Sequence, residues 1–416
     1  MAELLDTVRP LASVFAEAGH SLYLVGGIVR DQLRGLPLES IDDIDLTTDA
    51  RPARIKKLVG PLADAVWTQG ERFGTIGLRI GDVDFEITTF RAEVYRDDSR
   101  KPQVAYADAV DADLARRDFT INAIARALPS GQLVDPHGGL ADLEAGVLRT
   151  PLDPLVSFGD DPLRMLRAAR FMARMGVEPE AEMAVAISAM VDRIDIVSVE
   201  RIRDELVKLL RTDDPTAGVE LLVRTGLVDH CLPDLRVVSP TAVRDVAGHG
   251  DERALNRLAL IWLGKTPEEV SAAGHAVRLS NEQVATVRTV VDAVHRAQDA
   301  YASGSSLAEG FGAEAVRRIA YRAKDHLAGV HAVYRVVDPD AAARLQEEQR
   351  RLEVEGEDLS DWSLPLGGEE IMALLDLHPG PAVGEAAASL RELRFREGPI
   401  SVARARQHLL AAATET

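Results

Sequence analysis

A glycine turn after a short apolar run is the feature that most constrains this chain. Residues 22–25 (Leu-Tyr-Leu-Val) predict a strand, which Gly26 and Gly27 end. Two adjacent glycines allow positive φ angles and leave no Cβ in the way of a bulky ligand. Arg30 follows in the first turn of a predicted helix, which aims its side chain back at the glycines. Alone, such a pair of glycines is usually only a turn.

An Asp-x-Asp segment at residues 43–45 predicts a strand with two carboxylates on one face. Alternate residues of a strand share a face, so Asp43 and Asp45 point together. Neighbouring carboxylates repel each other unless a cation lies between them, and hard oxygen ligands suit Mg²⁺ bound with substrate phosphates. Asp-x-Asp is common in loops. Combined with the glycine turn, it predicts a nucleotide triphosphate held by Gly27 and Arg30, with Mg²⁺ held by Asp43 and Asp45.

A predicted hairpin supplies a further carboxylate. Residues 74–80 and 83–90 are typical of two strands joined at Gly81 and the following aspartate. Asp84 and Glu86 share one face of the second strand. Glu86 is a candidate third carboxylate near the metal site, whereas Asp84 is interpreted as part of a solvated polar face.

The run Arg-Arg-Asp-Phe-Thr-Ile-Asn-Ala at residues 116–123 is a second group of polar candidates. Arg117 offers a cation for a phosphate, and Asp118 offers an acceptor for a ribose hydroxyl. Asn122 lies four residues beyond Asp118, on the same face of a predicted helix. An ordinary capped helix that starts at Asp118 explains the same residues.

A predicted helix near residue 162 carries an acid and a guanidinium that can inspect a nucleobase. Pro162 suits the first helical position and Asp161 the N-cap, which is the structural explanation for Asp161. Asp161 and Arg164 also share one face. A carboxylate accepts from the exocyclic amine of cytosine or adenine, and a guanidinium donates to the adjacent ring nitrogen. Uracil and guanine present a carbonyl instead of the amine, so this pair favours C and A.

Further along this helix, Arg167 and Arg170 recur at a spacing of three. A basic helix face of this kind is usually solvated. Here the arginines adjoin the proposed triphosphate pocket of an acidic chain, which favours contacts with nucleotide phosphate or base.

Length and composition limit the remaining possibilities. At 416 residues the chain is too long for one ordinary core, so several domains are expected. The net charge of −19 disfavours a general nucleic-acid binder, and any RNA must be held by local arginines. The one cysteine, Cys231, excludes a disulfide framework and fits the cytoplasm. The N-terminus does not resemble a signal peptide, and no membrane span is expected.

Taken together, the motifs resemble those of the nucleotidyltransferase superfamily, in particular the bacterial CCA-adding enzymes and the related poly(A) polymerases. The resemblance covers about residues 20–235, with the motifs in the family's order. It implies that Asp161 and Arg164 are the amino-acid template for the incoming base. Glu86 matches a family glutamate that precedes a Thr-Thr-Phe-Arg run. Glu200 and Arg201 match the family's last motif and are interpreted as structural.

The resemblance also implies an α+β fold and three regions. A nucleotidyltransferase-type mixed sheet with helices is expected at residues 1–150, a helical base-recognition and neck region at 151–235, and a helical body and tail that hold the tRNA at 236–416. Residues 92–110 show no clear periodicity and predict a mobile surface loop. Because no His-Asp dipeptide occurs, no phosphohydrolase site is expected in the third region.

The expected reaction is attack of a tRNA 3′-hydroxyl on the α-phosphate of CTP or ATP, with release of pyrophosphate. The alternatives are a poly(A) polymerase, a partial enzyme that adds only C or only A, and an inactive RNA-binding relative. The acidic tail disfavours the polymerase, whose relatives tend to carry basic extensions. Retention of Asp43 and Asp45 disfavours the inactive relative.

Overall fold

The computed structural model describes residues 2–36, 43–94, 103–303 and 311–414. The chain divides into two compact units. The first comprises Met1–Leu209 with Ala217–Pro233, and the second comprises Leu210–Thr216 with Asp234–Thr416. The first unit is a mixed sheet with helices, and the second is helical. This α+β arrangement confirms the predicted fold class.

The strands are short. They are β1 Leu22–Val25, β2 Asp43–Thr48, β3 Ala65–Trp67, β4 Thr75–Ile80, β5 Val83–Thr89, β6 Arg91–Val94, β7 Gln103–Tyr106, β8 Ala125–Leu128, β9 Leu133–Val134, β10 Val147–Leu148 and β11 Glu178–Pro179.

The helices up to residue 231 are α1 Ala2–Glu17, α2 Gly27–Leu33, α3 Pro52–Val59, α4 Val110–Ala115, α5 Gly139–Ala145, α6 Pro154–Asp160, α7 Leu163–Met175, α8 Ala181–Met190, α9 Val199–Arg211, α10 Thr216–Thr225 and α11 Val228–Cys231. Short 3₁₀ turns interrupt the chain, and one of them, Thr120–Asn122, carries a predicted site residue.

Seven strands form the main sheet in the order β3-β4-β5-β2-β1-β8-β9. Strands β2 and β5 run parallel, and the other neighbouring pairs are antiparallel. Alternation along β2 decides which face is functional. Ile44 and Leu46 are buried in the core while Asp45 is exposed. A slip of one residue would bury the carboxylate, so the apolar pattern fixes the register.

The core of the first unit lies between this apolar face and two helices. Val8 and Phe15 of α1, together with Ile55 of α3, pack into one cluster with Ile44 and Phe85 from the sheet. Burying a side chain such as that of Phe85 contributes about 1.5–3 kcal/mol. The helices therefore cover one face of β2 and β5, and the opposite face is left for polar residues.

The prediction of a loop at residues 92–110 is wrong at both ends of that range. Strand β6 pairs antiparallel with β7, and Tyr106 lies under the guanidinium of Arg51 at 4.4 Å from ring centroid to Cζ. Backbone hydrogen bonds join β6 to β7. The charged residues of this segment obscure the alternation of apolar and polar residues that usually indicates a strand. Residues 95–102 lie outside the described part.

Two helix starts also differ from expectation. Residues 116–123 do not form an α-helix, because only the single 3₁₀ turn Thr120–Asn122 follows Asp118. Helix α7 begins at Leu163, after Pro162 rather than at it. Asp161 still caps this end, because its Oδ1 accepts from the Leu163 backbone N–H at 3.2 Å.

The second unit is built from helices alone. They are α12 Pro240–Asp245, α13 Gly250–Ile261, α14 Pro267–Ala276, α15 Asn281–Ser303, α16 Ala313–Ala323, α17 Leu327–Val337, α18 Pro339–Val354, α19 Gly368–Leu375, α20 Pro381–Glu397 and α21 Val402–Thr414. Across the described ranges, no helix is both long and apolar enough to cross a bilayer.

We expect Gly139→Ala to destabilise the first unit by about 1–3 kcal/mol, the usual range for overpacking. A Cβ at residue 139 would lie 2.1 Å from the carbonyl oxygen of Thr120 and would push α5 away from the turn that carries Asn122. Urea unfolding measures the change. The matched control is Gly159→Ala in α6, where the nearest atom lies 3.8 Å away. That variant should gain about 0.5–1 kcal/mol. Equal stabilities of the two variants would contradict this packing.

Candidate active site

The glycine turn brings a carboxylate and a guanidinium together. Gly26 has φ +75° and ψ −140°, a conformation that favours glycine. A Cβ at this residue would lie 3.3 Å from Nη1 of Arg117 and 3.6 Å from Oδ2 of Asp45. The turn that follows β1 therefore packs against Asp45 of β2 and against Arg117, which is distant in sequence.

The carboxylates predicted on the sheet follow its register. Asp43 pairs with Asp84, and Asp45 pairs with Glu86, across the parallel strands β2 and β5. Glu86 is exposed and lies beside Asp45 on the polar face. The side chain of Asp43 lies outside the described part, but positions 43 and 45 share a face because they are two residues apart. Asp84 accepts from Arg79 at 2.6 and 2.7 Å, as expected for a solvated polar pair.

Asp113 anchors Arg117, and sequence reasoning missed it although the two residues are four apart. Its side chain is fully buried, and its Oδ2 lies 3.3 Å from Nη2 of Arg117. Oδ1 accepts from Nε of Arg116 at 3.0 Å and from the backbone N–H of Arg91 at 3.2 Å. Burial would raise the pKa of Asp113, but the two arginines and the hydrogen bonds lower it below its usual value. Asp113 therefore holds in place the guanidinium group of Arg117, which faces Gly26.

Arg30 is committed to partners inside the protein. Its side chain is buried, and its Nε and Nη2 donate to both oxygens of Asp31 at 2.8 and 2.7 Å. Nη1 donates to Oδ1 of Asn122 at 2.6 Å. The sequence indicates that Arg30 faces the ligand held by the glycines. In the structure its contacts orient Asn122, although Gly27 lies close by, with its Cβ position 3.4 Å from Nη2 of Arg30.

Asp118 is held on both oxygens. Nδ2 of Asn122 donates to Oδ1 at 2.9 Å, and Nε of Arg167 donates to Oδ2 at 2.9 Å. Because Arg30 can only donate, it fixes the Asn122 amide with its NH₂ group toward Asp118. Burial by itself would raise the pKa of Asp118, but the charge of Arg167 and these hydrogen bonds lower it to about 2. Asp118 is therefore an anion at every physiological pH.

Glu205 of α9 is the last of the charged side chains that are linked to Asp118 through Arg167, and sequence reasoning missed it. Its side chain is buried, and it accepts from Nε of Arg170 at 2.5 Å. Nη1 of Arg167 lies 3.6 Å from its other oxygen. The guanidinium groups of Arg167 and Arg170 lie over the ring of Phe171, at 5.7 and 4.5 Å from its centroid. The predicted basic helix face is thus paired with buried acids rather than solvated.

Asp161 and Arg164 are each held by neighbours. Oδ2 of Asp161 accepts from Nη2 of Arg201 at 3.0 Å, so Arg201 contributes to this site as well as to α9. Arg164 is buried, and its Nη1 donates to the Ser157 hydroxyl at 2.8 Å. Its Nη2 donates to the backbone carbonyl of Arg116. That contact brings the α7 pair next to the segment that carries Arg117.

Two family models match stretches of the chain up to residue 238. Residues 22–149 match the poly A polymerase head domain, and residues 176–238 match a probable RNA and SrmB binding site of polymerase A. The sheet, the glycine turn and the acidic strand define a nucleotidyltransferase, as the motifs predicted.

Similar proteins identify the family within this class. The CCA-adding enzyme of Limosilactobacillus fermentum is 32% identical over 390 residues, which cover 92% of this chain and 91% of that protein. That of Lactiplantibacillus plantarum is 39% identical over 225 residues, 53% of each chain. This chain belongs to the family of CCA-adding enzymes. Enzymes of this family generally use a divalent metal ion.

Solved structures share the fold over nearly the whole chain. The Bacillus stearothermophilus CCA-adding enzyme in complex with CTP superposes with a TM-score of 0.76 at 24% identity and covers 98% of both chains. The Thermotoga maritima CCA-adding enzyme complexed with tRNA-CCA gives a TM-score of 0.70 at 20% identity, over 99% of this chain and 96% of that one.

The lowered pKa of Asp118 predicts a pH-dependent stability. A carboxyl with a folded pKa of about 2 and an ordinary value of 3.8 stabilises the fold by about 2 kcal/mol above pH 5. The contribution is lost as the pH falls toward 2. Urea unfolding should therefore show that Asp118→Asn is less stable than the wild type at pH 7, with about half of this electrostatic difference gone near pH 3. A difference that stays constant from pH 7 to pH 3 would contradict the assignment.

Proposed function

We propose that this chain adds C, C and A in turn to the 3′ end of tRNA, using CTP and ATP and releasing pyrophosphate. The observation that carries the proposal is the meeting of Asp45, Gly26 and Arg117 at one turn. In each step the terminal hydroxyl of the RNA forms a bond to the α-phosphorus. The bond from that phosphorus to the bridging oxygen breaks, and the electron pair leaves with pyrophosphate. Positioning and charge neutralisation account for most of the acceleration of such a reaction.

The carboxylate positions on the polar face of β2 fit a hard cation. Asp43 and Asp45 would hold Mg²⁺, and Glu86 is a third oxygen ligand or a positioning group beside them. When bound, the ion supplies neutralisation of the phosphates and lowers the pKa of the attacking hydroxyl. Oxygen-only ligands favour Mg²⁺ over zinc, which prefers nitrogen and sulfur.

The triphosphate and ribose contacts follow from the turn and from Asp118. Gly26 and Gly27 place no side chain at the turn, and Arg117, anchored by Asp113, presents a cation beside Gly26. Asp118 is ionised at physiological pH and would be the acceptor for a ribose hydroxyl. Because Arg117 and Asp118 are already ordered by their partners, nucleotide binding costs less conformational entropy.

The base would be read by Asp161 and Arg164. Arg201 orients the carboxylate, and Ser157 and the Arg116 carbonyl orient the guanidinium. A carboxylate faced with the carbonyl of uracil or guanine loses a hydrogen bond and meets a repulsive oxygen, which costs roughly 1–3 kcal/mol. Selectivity for C and A then needs no nucleic-acid template.

The buried charges behind Asp118 hold it in place. We assign Arg30 and Asn122 to positioning Asp118. Arg167 and Arg170 keep the nucleotide-contacting role that the sequence predicts, while Glu205 restrains their guanidinium groups.

The regional assignment remains part of the proposal. A catalytic head at 1–150, a base-recognition and neck region at 151–235 and an RNA-binding body and tail at 236–416 agree in outline with the motifs. A cytoplasmic location is supported by Cys231, which carries a buried free thiol.

Incubation with tRNA that lacks its 3′ end tests the function. With CTP and ATP together, the RNA should grow by three nucleotides, and with CTP alone by two. Asp45→Asn should lower the rate by roughly a thousandfold or more, because the site loses a carboxylate that would hold the ion that neutralises the phosphates. The matched control is Asp84→Asn on the same sheet, whose carboxylate pairs with Arg79 at the surface. A long A-ladder would identify a poly(A) polymerase instead, and no extension would favour an RNA-binding relative.

Asp161→Ala should relax base selectivity. We expect the preference for CTP over UTP to fall by roughly ten- to a hundredfold in kcat/KM, because the amine acceptor is gone. Divalent-ion affinity, measured by titration, should stay unchanged. Asp153→Ala is the control, because Asp153 likewise caps a helix of the same region, at the start of α6. If Asp161→Ala lost divalent-ion affinity to the same extent as base selectivity, this division of roles would be refuted.

A further inference from the structure

A hollow of about 450 Å³ in the second unit is lined by cations. It lies at α14, α15 and the end of α16, and we call it the cationic hollow. Its lining residues are Pro267, Arg288, Thr289, Asp292, Tyr321, Arg322 and Lys324. Three of these side chains are positive and one is negative. In a chain of net charge −19 this is an unusual local surplus.

Two of the three cations have no acid partner in the part of the chain that the structure describes. Among the described residues, no carboxylate lies within ion-pair distance of Arg288 or Lys324, and both side chains are exposed. Some arginines elsewhere in the unit are paired, such as Arg318 with Glu392 and Arg351 with Glu355. With no such partner among the described residues, Arg288 and Lys324 leave their charges available to a ligand of the hollow.

The single carboxylate of the hollow is already neutralised. Asp292 lies 3.3 Å from Nε of Arg296 on its own helix and 3.9 Å from Nε of Arg322. Its charge therefore does not cancel those of Arg288 and Lys324. The Thr289 hydroxyl adds a neutral hydrogen-bond donor to the same wall.

The backbone gives an independent indication at Lys324. This residue adopts φ +50° and ψ −128° between α16 and α17, a region that favours glycine. A side chain in such a conformation is strained, and strain of this kind is retained where the side chain has a task. The placement of a lysine here carries its ammonium group to the hollow.

Resting on the proposed function, we propose that the cationic hollow binds a backbone phosphate of the RNA substrate. Phosphate oxygens accept from guanidinium and ammonium donors, and arginine presents its donors in a planar fork that matches them. A protein as acidic as this one needs local, unpaired cations to release counterions from RNA. The hollow supplies Arg288 and Lys324 for this purpose, with Arg322 beside them.

The strained backbone at Lys324 allows a specific test, because Lys324→Gly should raise the stability of the protein while it weakens RNA binding. The variant should raise the Tm by roughly 2–5 °C by relieving the strained backbone. It should also weaken binding of tRNA lacking its 3′ end by roughly fivefold, and lower the slope of log K against log salt by about one. Fluorescence anisotropy at several salt concentrations measures the binding. Misfolding cannot explain a weaker but more stable protein.

Two further variants complete the comparison. Arg288→Ala should weaken RNA binding as Lys324→Gly does. Arg404→Ala removes one positive charge elsewhere in the unit, where Glu397 pairs with it, and should change the affinity less than twofold. Wild-type RNA affinity in both hollow variants would overturn the proposal. So would an equal loss in all three variants, because net charge alone would then explain it.

Steady-state measurements separate this site from the reaction centre. Lys324→Gly should raise KM for the RNA and leave KM for CTP and kcat unchanged. The anisotropy assay needs no turnover, so a wild-type protein that binds RNA without extending it would refute the proposed reaction and not the phosphate site. If inorganic phosphate stabilises the wild type but not Lys324→Gly, while RNA affinity is equal in both, the hollow takes free phosphate and the RNA assignment is wrong.

Discussion

The arrangement of the site depends on one buried carboxylate, that of Asp118. It accepts from Asn122 and Arg167, and each of these is held in turn, by Arg30 and by Glu205. A buried ion without partners would cost several kcal/mol, so each charge in this series requires the next. Because the partners come from α2, the Thr120–Asn122 turn, α7 and α9, the series joins four parts of the first unit. The ribose contact proposed for Asp118 would therefore depend on the same partners that hold it within the fold.

The apolar side of the sheet determines the polar side. Ile44 and Leu46 bury against α1 and α3, which leaves Asp45 on the opposite face beside Glu86. The free energy that sets this register comes from apolar side chains that never touch a ligand. Gly26 then brings the turn against Asp45 and Arg117 because it lacks a Cβ. The acidic strand needs no special stabilisation of its own.

Local patterns were sufficient to predict the elements that carry the motifs. Strand β1 lies where the apolar run indicated, and strands β4 and β5 lie where the hairpin pattern indicated. The pairing of β6 with β7 escaped prediction because backbone hydrogen bonds, and not side-chain alternation, define it. Asp113 and Glu205 were missed for different reasons. Asp113 lies only four residues from Arg117, a spacing that local rules cover, but no motif pointed to it. Glu205 meets Arg170 across 35 residues, and Arg201, predicted only as a structural residue, meets Asp161 across 40, so no spacing rule could connect either pair.

The same reasoning explains how so acidic a chain can serve an RNA. Buried arginines such as Arg317, which donates to Glu357, act within the fold and contribute no field to a ligand. Net charge is a sum over the whole chain and does not show which cations remain unpaired at the surface, so it says little about affinity. The cations left unpaired at the surface determine the local electrostatic attraction of an RNA phosphate. Because one of these, Lys324, occupies a backbone conformation that favours glycine, the fold gives up stability to keep a charge where the sequence average would predict none.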